Sequence, residues 1–432
     1  MLSAARWILG GFALLLPSYC MAAALQAGAA SIDITPPPGC PMWGYAARHA
    51  QPSVGVLDPL QARAVVLATG KDRIAIVSID LGRPPTRAWT ATIRARVKAE
   101  AGIEHIFLVA THTHHGPILE VERYPDAKHP YVRELEKKLS DVIIEAARAL
   151  KPARLAIASR EVSFNRNRQS HLADKPVDRE LLVLRVEDPD GRPLAVLVNF
   201  AAHPILQDRK ELRYSADYPG VLARLVEKQA DVPCLFLQGA AGDLSPDQTK
   251  GHDPASFGES LGKEVLSLLK SVRSIEIGAD HLRATEDDFR FGQRIDLGNP
   301  VVKLMFSTAF FPELVDFYER EYRDGIRPHL ATALLGEKIG FVGVSGEFFC
   351  AHSLRLKKRA RLEHLFFLGY CNDYQQYFPT IEAAAEGGYG ADSRVAPVEL
   401  GAGERVMDRA LIRLYEMRGK LSERGSKAAA RP

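Results

Sequence analysis

The stretch IFLVATHTHHGP, residues 106–117, runs from an apolar segment straight into a polar turn closed by Gly-Pro. A short, continuous apolar run of this kind reads as a strand buried on both faces. The same design recurs along the chain. Arg73–Ile79 runs into Asp80-Leu81-Gly82, Leu194–Phe200 into AAHP, Val232–Leu237 into QGAAGDLSP, Ile339–Val344 into SGE, and Leu365–Leu368 into GYCNDY. Segments with apolar residues at helical spacing separate several of these runs: Thr86–Glu100, Tyr131–Leu150, Pro219–Gln229 and Phe257–Leu269. Pro219 suits the first turn of its helix. Strands alternating with helices predict an α/β domain, a layered mixed β-sheet with flanking helices. Ligands in such folds gather beyond the carboxyl ends of the strands. In this chain those ends carry the His, Asp, Glu, Ser and Tyr residues.

Outside that rhythm, Asp280–Pro328 carries Phe306, Phe310, Phe311, Phe317, Tyr318 and Tyr322. It reads as an insertion packing over the domain, its aromatics forming either one wall of a substrate cleft or plain core. A last helix is expected over Glu404–Leu421, and the low-complexity tail within 422–432 is expected to be disordered. No internal repeat is visible. At 432 residues the chain suffices for one large domain or two smaller ones. Apolar content of 46% and charged content of 25% are ordinary for a soluble globular protein. The net charge of +3 comes from interspersed acids and bases, without the basic stripe or tail that a nucleic-acid partner needs.

The N-terminus follows another logic. Arg6 precedes an apolar run, Trp7–Leu16, then Pro17 and small residues through Ala24. Basic start, short apolar stretch and small-residue end describe a secretory signal peptide over residues 1–24, cleaved near Ala22 or Ala24. A lipid anchor on Cys20 is the rival reading, opposed by the bulky Tyr19 before it. The expected location is therefore exported, periplasmic or secreted. Export permits disulfides, so Cys350 and Cys371 are either a bridge or, with Cys40 and Cys234, buried free thiols.

Several residues have the chemistry of a site. In THTHH, His112 and His114 lie two apart, and on a strand or its extended end they face one way. Neutral imidazoles so placed suit zinc. His203, after its own strand in NFAAHP, is a candidate third ligand. Glu347 in VSGEFF has apolar neighbours, and a buried carboxylate needs a partner, an arginine or a metal. In GDLSP, Asp243 and Ser245 form either a catalytic turn or a plain turn that caps backbone groups. Tyr374, Tyr377 and Tyr389 lie beside Gly387, Gly388 and Gly390, where they plug a cleft mouth or donate to a developing oxyanion.

These pieces, in this order, resemble the catalytic domain of the neutral ceramidases. The opening DITPPPGCPMWGYA, the ARA segment at 62–64, THTHHGP, the His-Pro after a strand, GDLSP, SGEF and the late NDYQQY…GGYG all match, over about Ala29–Leu414. The resemblance implies one catalytic Zn²⁺ held by His112, His203, Glu347 and Tyr377. Tyr377 is chosen because the family's ligand tyrosine precedes a second active-site tyrosine by twelve positions, as Tyr377 precedes Tyr389. It also implies active-site roles for Ser245, His114, Tyr389 and Arg168, with Arg166 as rival to Arg168. The implied activity is zinc-dependent cleavage of the N-acyl amide of ceramide or a related N-acyl lipid. The implied partner is a lipid or small-molecule substrate, which leaves room for peripheral membrane contact. Departures from the pattern are Asp247 after GDLSP, Ala241 before its Gly-Asp, and EAAAEGG in the tyrosine segment. The expected domain, 25–421, has the zinc site at the strand ends and no C-terminal immunoglobulin-like sandwich. Two other functions stay open: a zinc-dependent amidase or esterase on a non-ceramide substrate, and a non-catalytic binding protein of the same fold.

Overall fold

Three sheets, each carrying helices on its outer side, enclose one shared apolar core. The structure is a computed structural model and describes residues 25–48, 51–120, 131–277, 282–309 and 314–421. The first sheet contains β1 (Gln26–Asp33), β2 (Gln61–Thr69), β3 (Asp72–Ile79), β4 (His105–Ala110) and β5 (Lys151–Pro152), in the order β4-β3-β2-β1-β5. The second holds β6 (Arg154–Glu161), β7 (Glu180–Glu187), β8 (Pro193–Phe200), β9 (Cys234–Gln238) and β10 (Arg273–Ile275), in the order β9-β8-β7-β6-β10. The third is β11 (Leu282–Asp288), β12 (His329–Leu335), β13 (Ile339–Val344) and β14 (His364–Leu368), side by side in chain order.

Each sheet is mostly antiparallel but contains one parallel pair: β3 with β4, β8 with β9, and β13 with β14. Parallel neighbours need a crossover long enough to return the chain. Three helices do this work: α1 (Arg87–Ala101), α3 (Asp217–Ala230) and α7 (Cys350–Ala360). Further helices, α2 (Tyr131–Arg148) and α4 (Pro254–Leu269), flank the first and second crossovers. Between β11 and β12 the chain forms α5 (Pro300–Ala309) and α6 (Val315–Tyr322), and after β14 come α8 (Ile381–Glu386) and α9 (Ala402–Met417).

Burial explains why the strand runs are apolar throughout. In β2, Val65 and Leu67 face the shared core, while Ala62, Ala64 and Val66 pack under α1 and α2. The two-residue alternation of side chains thus feeds two cores from one strand. Leu184, Leu197 and Leu235 from the second sheet and Phe341, Leu335 and Phe366 from the third complete the shared core. Each such side chain removed from water contributes about 1.5–3 kcal/mol. On the outer faces, Val196 and Phe200 pack with Leu222, Phe257 and Leu261 of α3 and α4, and Val342 and Val344 with Leu356 of α7 and Leu411 of α9.

The expected helices and strands are all present, with shifted ends: α9 runs Ala402–Met417 rather than from Glu404 to Leu421. Two expectations need correction. The irregular stretch after Asp280 is not wholly an insertion, because Leu282–Asp288 is a strand paired along its length with β12. Nor do its described aromatics form a cleft wall. Phe306, Phe317, Tyr318 and Tyr322 are buried in the core beneath the third sheet; Phe310 and Phe311 lie outside the described residues. Cys350 and Cys371 form no disulfide, and neither do Cys40 and Cys234. The Cys350 thiol donates to Pro176 O at 3.2 Å, whereas Cys371 pairs with Val109 at the end of β4, so the two serve different contacts. The expected signal peptide and tail lie outside the described residues. No helix among those described is long and apolar enough to cross a membrane.

Candidate metal centre

The carboxyl ends of the three parallel pairs converge on one place. Ala110 N donates to Tyr370 O and Gly369 N to Gln238 O, which ties the three sheets together there, while Gly239 N donates to Phe200 O across the end of the second sheet's parallel pair. His112 follows β4, His203 follows β8, Glu347 follows β13, and Tyr370, Tyr374 and Tyr377 follow β14.

His112 reaches the site by an unexpected route. Its backbone is left-handed, with φ 70°, so strand alternation ends at Ala110 and cannot be what aligns His112 with His114. The turn aligns them instead, bringing the two Nε2 atoms within 3.4 Å. Such a conformation costs a non-glycine residue on the order of 1–3 kcal/mol. Packing offsets it: Tyr370 stacks on the His112 ring at 4.1 Å and Trp43 meets it edge-on at 5.1 Å.

The protonation pattern follows from the partners. Nδ1 of His112 faces Gly82 O and Nδ1 of His203 faces Ala241 O, both at 2.7 Å. A carbonyl only accepts, so both Nδ1 atoms carry a proton, and in neutral rings the Nε2 atoms then present lone pairs. These Nε2 atoms lie 3.1 Å apart. Glu347 Oε2 is 3.4 Å from the first and 3.2 Å from the second. Arg168 Nη2 lies 3.1 Å from Nε2 and 3.2 Å from Nδ1 of His203. Near-equal distances put the guanidinium over the ring face, so it does not satisfy the in-plane lone pair. Acceptors this close repel one another unless a cation sits among them. Four ligands on a tetrahedral zinc with bonds of about 2.0–2.1 Å stand about 3.3 Å apart. The donor set fits that ion, and the three imidazoles alone place one nitrogen each within 4.8 Å of one another.

Charge states agree with ligation, which requires neutral imidazole and ionised carboxylate. Burial, then Arg168, pushes His203 down to about 3. Burial, His112 and His203 hold His114 well below the usual histidine range. Burial opposes ionisation of Glu347, while positive charge on the side of His112 and His203 holds its carboxyl well below the usual range.

Glu347 and Tyr377 meet because Glu347–Phe348 and Tyr377–Phe378 form a two-residue parallel ladder with Glu347 opposite Tyr377. The Tyr377 ring lies parallel to that of His203, 6.5 Å away, and its hydroxyl accepts from Arg168 Nη2 at 3.2 Å. Arg168 is therefore the arginine that lies against His203 and Tyr377. Arg166 is exposed and pairs in register with Ser245 on the ladder formed by Asn165–Asn167 and Leu244–Pro246. Ser245 itself is buried one residue beyond the carbonyl of Leu244, which accepts from His203 N. Tyr389 stands at the rim, 63% exposed, its ring edge-on to Tyr377 at 5.8 Å. Asp243 is not a local cap. It accepts from Cys350 N and from Asn167 Nδ2, both at 2.7 Å, and burial pushes its pKa up to about 6.

Sequence reasoning passed over Trp43, Tyr370 and Arg83, which pack around the ligand set. Trp43 sits in the PMWGYA opening, and Tyr370 follows a strand end, so position alone marked both. Nothing marked Arg83 or the orienting carbonyls of Gly82 and Ala241, since a backbone acceptor has no signature in sequence.

Fold and site together define a three-sheet α/β domain with a buried imidazole–carboxylate cluster competent to hold a metal ion. The chain belongs to the neutral/alkaline non-lysosomal ceramidase family, whose N-terminal profile matches residues 25–260. It is 29% identical over 234 residues to the neutral ceramidase of Pseudomonas aeruginosa, covering 48% of this chain and 34% of that protein. The neutral ceramidase of Oryza sativa subsp. japonica is 26% identical over 260 residues, covering 54% and 33%. Neutral ceramidase B of Dictyostelium discoideum is 26% identical over 174 residues, covering 34% and 24%. The matches thus span only a quarter to a third of these relatives' own length. The crystal structure of the Pseudomonas aeruginosa enzyme superposes with a TM-score of 0.75 at 18% identity, over 92% of this chain and 75% of that one. A ceramidase complexed with C2 gives the same TM-score at 19% identity. At these identities the likeness speaks for the fold.

Proposed function

We propose that the protein is a zinc-dependent amide hydrolase that cleaves the N-acyl bond of ceramide or a related N-acyl lipid, releasing a fatty acid and an amine. The observation that carries this reading is the pair of imidazole Nε2 atoms 3.1 Å apart, each ring turned by a carbonyl at Nδ1, beside the Glu347 carboxylate. Family membership supports the reaction class, and the likeness to a ceramidase complexed with C2 supports a lipid of ceramide type. His112, His203, Glu347 and Tyr377 would hold one zinc per chain. Zinc, when bound, supplies Lewis acidity and activates water near neutral pH.

The chain's own residues do the rest. His114 Nε2, beside the ligand set, would take up a proton and return it to the leaving amine. Tyr389, at the rim, would donate to the developing oxyanion. Arg168 would bind a polar or anionic part of the substrate through the nitrogens left by Tyr377 and Gly242 O. Ser245 would serve as nucleophile or as hydrogen-bond partner of a substrate hydroxyl. We place the protein outside the cytoplasm on the strength of residues 1–24; a mature N-terminus still at Met1 would contradict this. The deciding experiment is metal analysis of the native protein together with amine release from ceramides of several chain lengths. One zinc per chain and chain-length-dependent release are expected. Protein without zinc, and without gain on adding it, would refute the reading.

A further inference from the structure

We propose that Tyr374 is a positioning residue that holds Glu347 as a one-oxygen ligand, reserving Oε2 for the metal. This rests on the zinc reading above and deepens it. The two carboxylate oxygens of Glu347 have different surroundings. Oε1 accepts from the Tyr374 hydroxyl at 2.5 Å. Oε2 lies 3.4 Å from His112 Nε2 and 3.2 Å from His203 Nε2, and accepts only a long contact from the Tyr370 hydroxyl, at 3.4 Å. An oxygen already engaged in a short hydrogen bond cannot also turn toward the histidines. The carboxylate is therefore presented edge-first, through Oε2.

Tyr374 is itself held on two sides. The Arg83 guanidinium lies over its ring at 5.4 Å, and Trp43 meets it edge-on at 5.6 Å. Both clamps are anchored in buried structure. Arg83 Nη2 donates to Asp373 Oδ1 at 3.1 Å, and Trp43 Nε1 donates to Glu120 Oε1 at 2.7 Å. The ring cannot swing away without breaking these packed contacts. Tyr374 and Tyr377, three residues apart, then divide the work. The first donates to the carboxylate, while the second offers an oxygen that accepts from Arg168. The left-handed Gln376 between them, φ 61°, turns the chain so that both hydroxyls reach Glu347's end of the site. Partners that orient a metal ligand in this way are commonly worth 10–100-fold in affinity.

The test uses the full chain. Tyr374→Phe keeps the ring between Arg83 and Trp43 and removes only the hydroxyl. Zinc dissociation constants are measured by chelator competition for wild type, Tyr374→Phe, Glu347→Gln and the double variant, alongside thermal unfolding of each zinc-free protein. The expected result is a 10–100-fold weaker zinc affinity in Tyr374→Phe, near-wild-type unfolding without zinc, and no further loss when the hydroxyl is removed from Glu347→Gln. An equal loss in both backgrounds would mark a general structural role and overturn the proposal. So would unchanged affinity in Tyr374→Phe. A wild type that binds no zinc overturns the zinc reading as well, so the two failures are distinguishable. Infrared difference spectra of the zinc-loaded wild type against Glu347→Gln read the carboxylate directly: one-oxygen binding supports the assignment, two-oxygen binding refutes it.

Discussion

Replacing Arg83 by Met should cost the fold more than any surface substitution, and in a pH-dependent way. Arg83 is 1% exposed and stands between two buried carboxylates. Its Nη2 is 3.1 Å from Asp373 and its Nη1 3.7 Å from Glu120, whose side chains are 5% and 0% exposed. Met fills similar volume but leaves both acids without a counter-ion. Breaking a buried pair in this way costs about 3–5 kcal/mol, against a total stability of about 5–15 kcal/mol for a folded protein. Glu120 keeps donors from Trp43, Leu119 and Tyr318, whereas Asp373 keeps Gln375 Nε2 at 2.8 Å. Asp373 should therefore account for most of the loss, and Arg83→Met/Asp373→Asn should recover part of it. The sign of the pH effect follows from linkage. In the variant, burial without a partner raises the carboxyl pKa above its unfolded value. Such a group is stabilising below the unfolded pKa, and that contribution is lost as pH rises through the folded one. The deficit should be smaller at about pH 4–5, near ordinary carboxyl values, than at pH 7. Urea unfolding at both pH values measures it. A loss below about 1 kcal/mol, or a deficit that does not change with pH, would refute the argument.

Three further outcomes are expected. His203→Ala should lose zinc and activity together, whereas Ser245→Ala should lose activity and keep zinc; a Ser245→Ala protein stripped of metal, or fully active, contradicts the assignment of Ser245 outside the ligand set. Asp243, with its pKa raised to about 6 by burial, gives stability that is present below about 3.9 and lost as pH rises to about 6. The stability gap between wild type and Asp243→Asn should therefore narrow over that window, by at most about 3 kcal/mol, and a constant gap would show that Asp243 does not titrate in the folded state. Phe306→Ala should lose about 3–5 kcal/mol with chain-length preference unchanged in the protein that still folds; an altered preference at normal stability would restore the cleft-wall reading.

The sequence by itself determined the local pieces. Six apolar runs end in polar turns, and each of them is a strand whose exit carries a residue near the site. Strand exits such as THTHH and VSGEFF could be recognised because burial on both faces demands an unbroken apolar run, and chemistry can only begin where that run stops. Order and spacing also sufficed for the family, since seven short motifs in register are a one-dimensional signal. Tertiary structure decided the rest, because proximity across a fold leaves no mark along a chain. The parallel pairs of three sheets are the same device used three times, yet they share no sequence repeat, since a buried strand asks for apolar bulk rather than particular residues. The alignment of His112 with His114 comes from a left-handed turn braced by Tyr370, not from strand alternation. Arg168 rather than Arg166 reaches His203 because it lies just past the three-residue ladder on which Arg166 is exposed. The aromatics of α5 and α6, readable as lipid wall or as core, became core because Phe306, Phe317, Tyr318 and Tyr322 pack beneath the third sheet. Trp43 and Arg83 meet around Tyr374, whose hydroxyl donates to Glu347, from positions far apart in the chain, and only the packing of three sheets about one core brings them there.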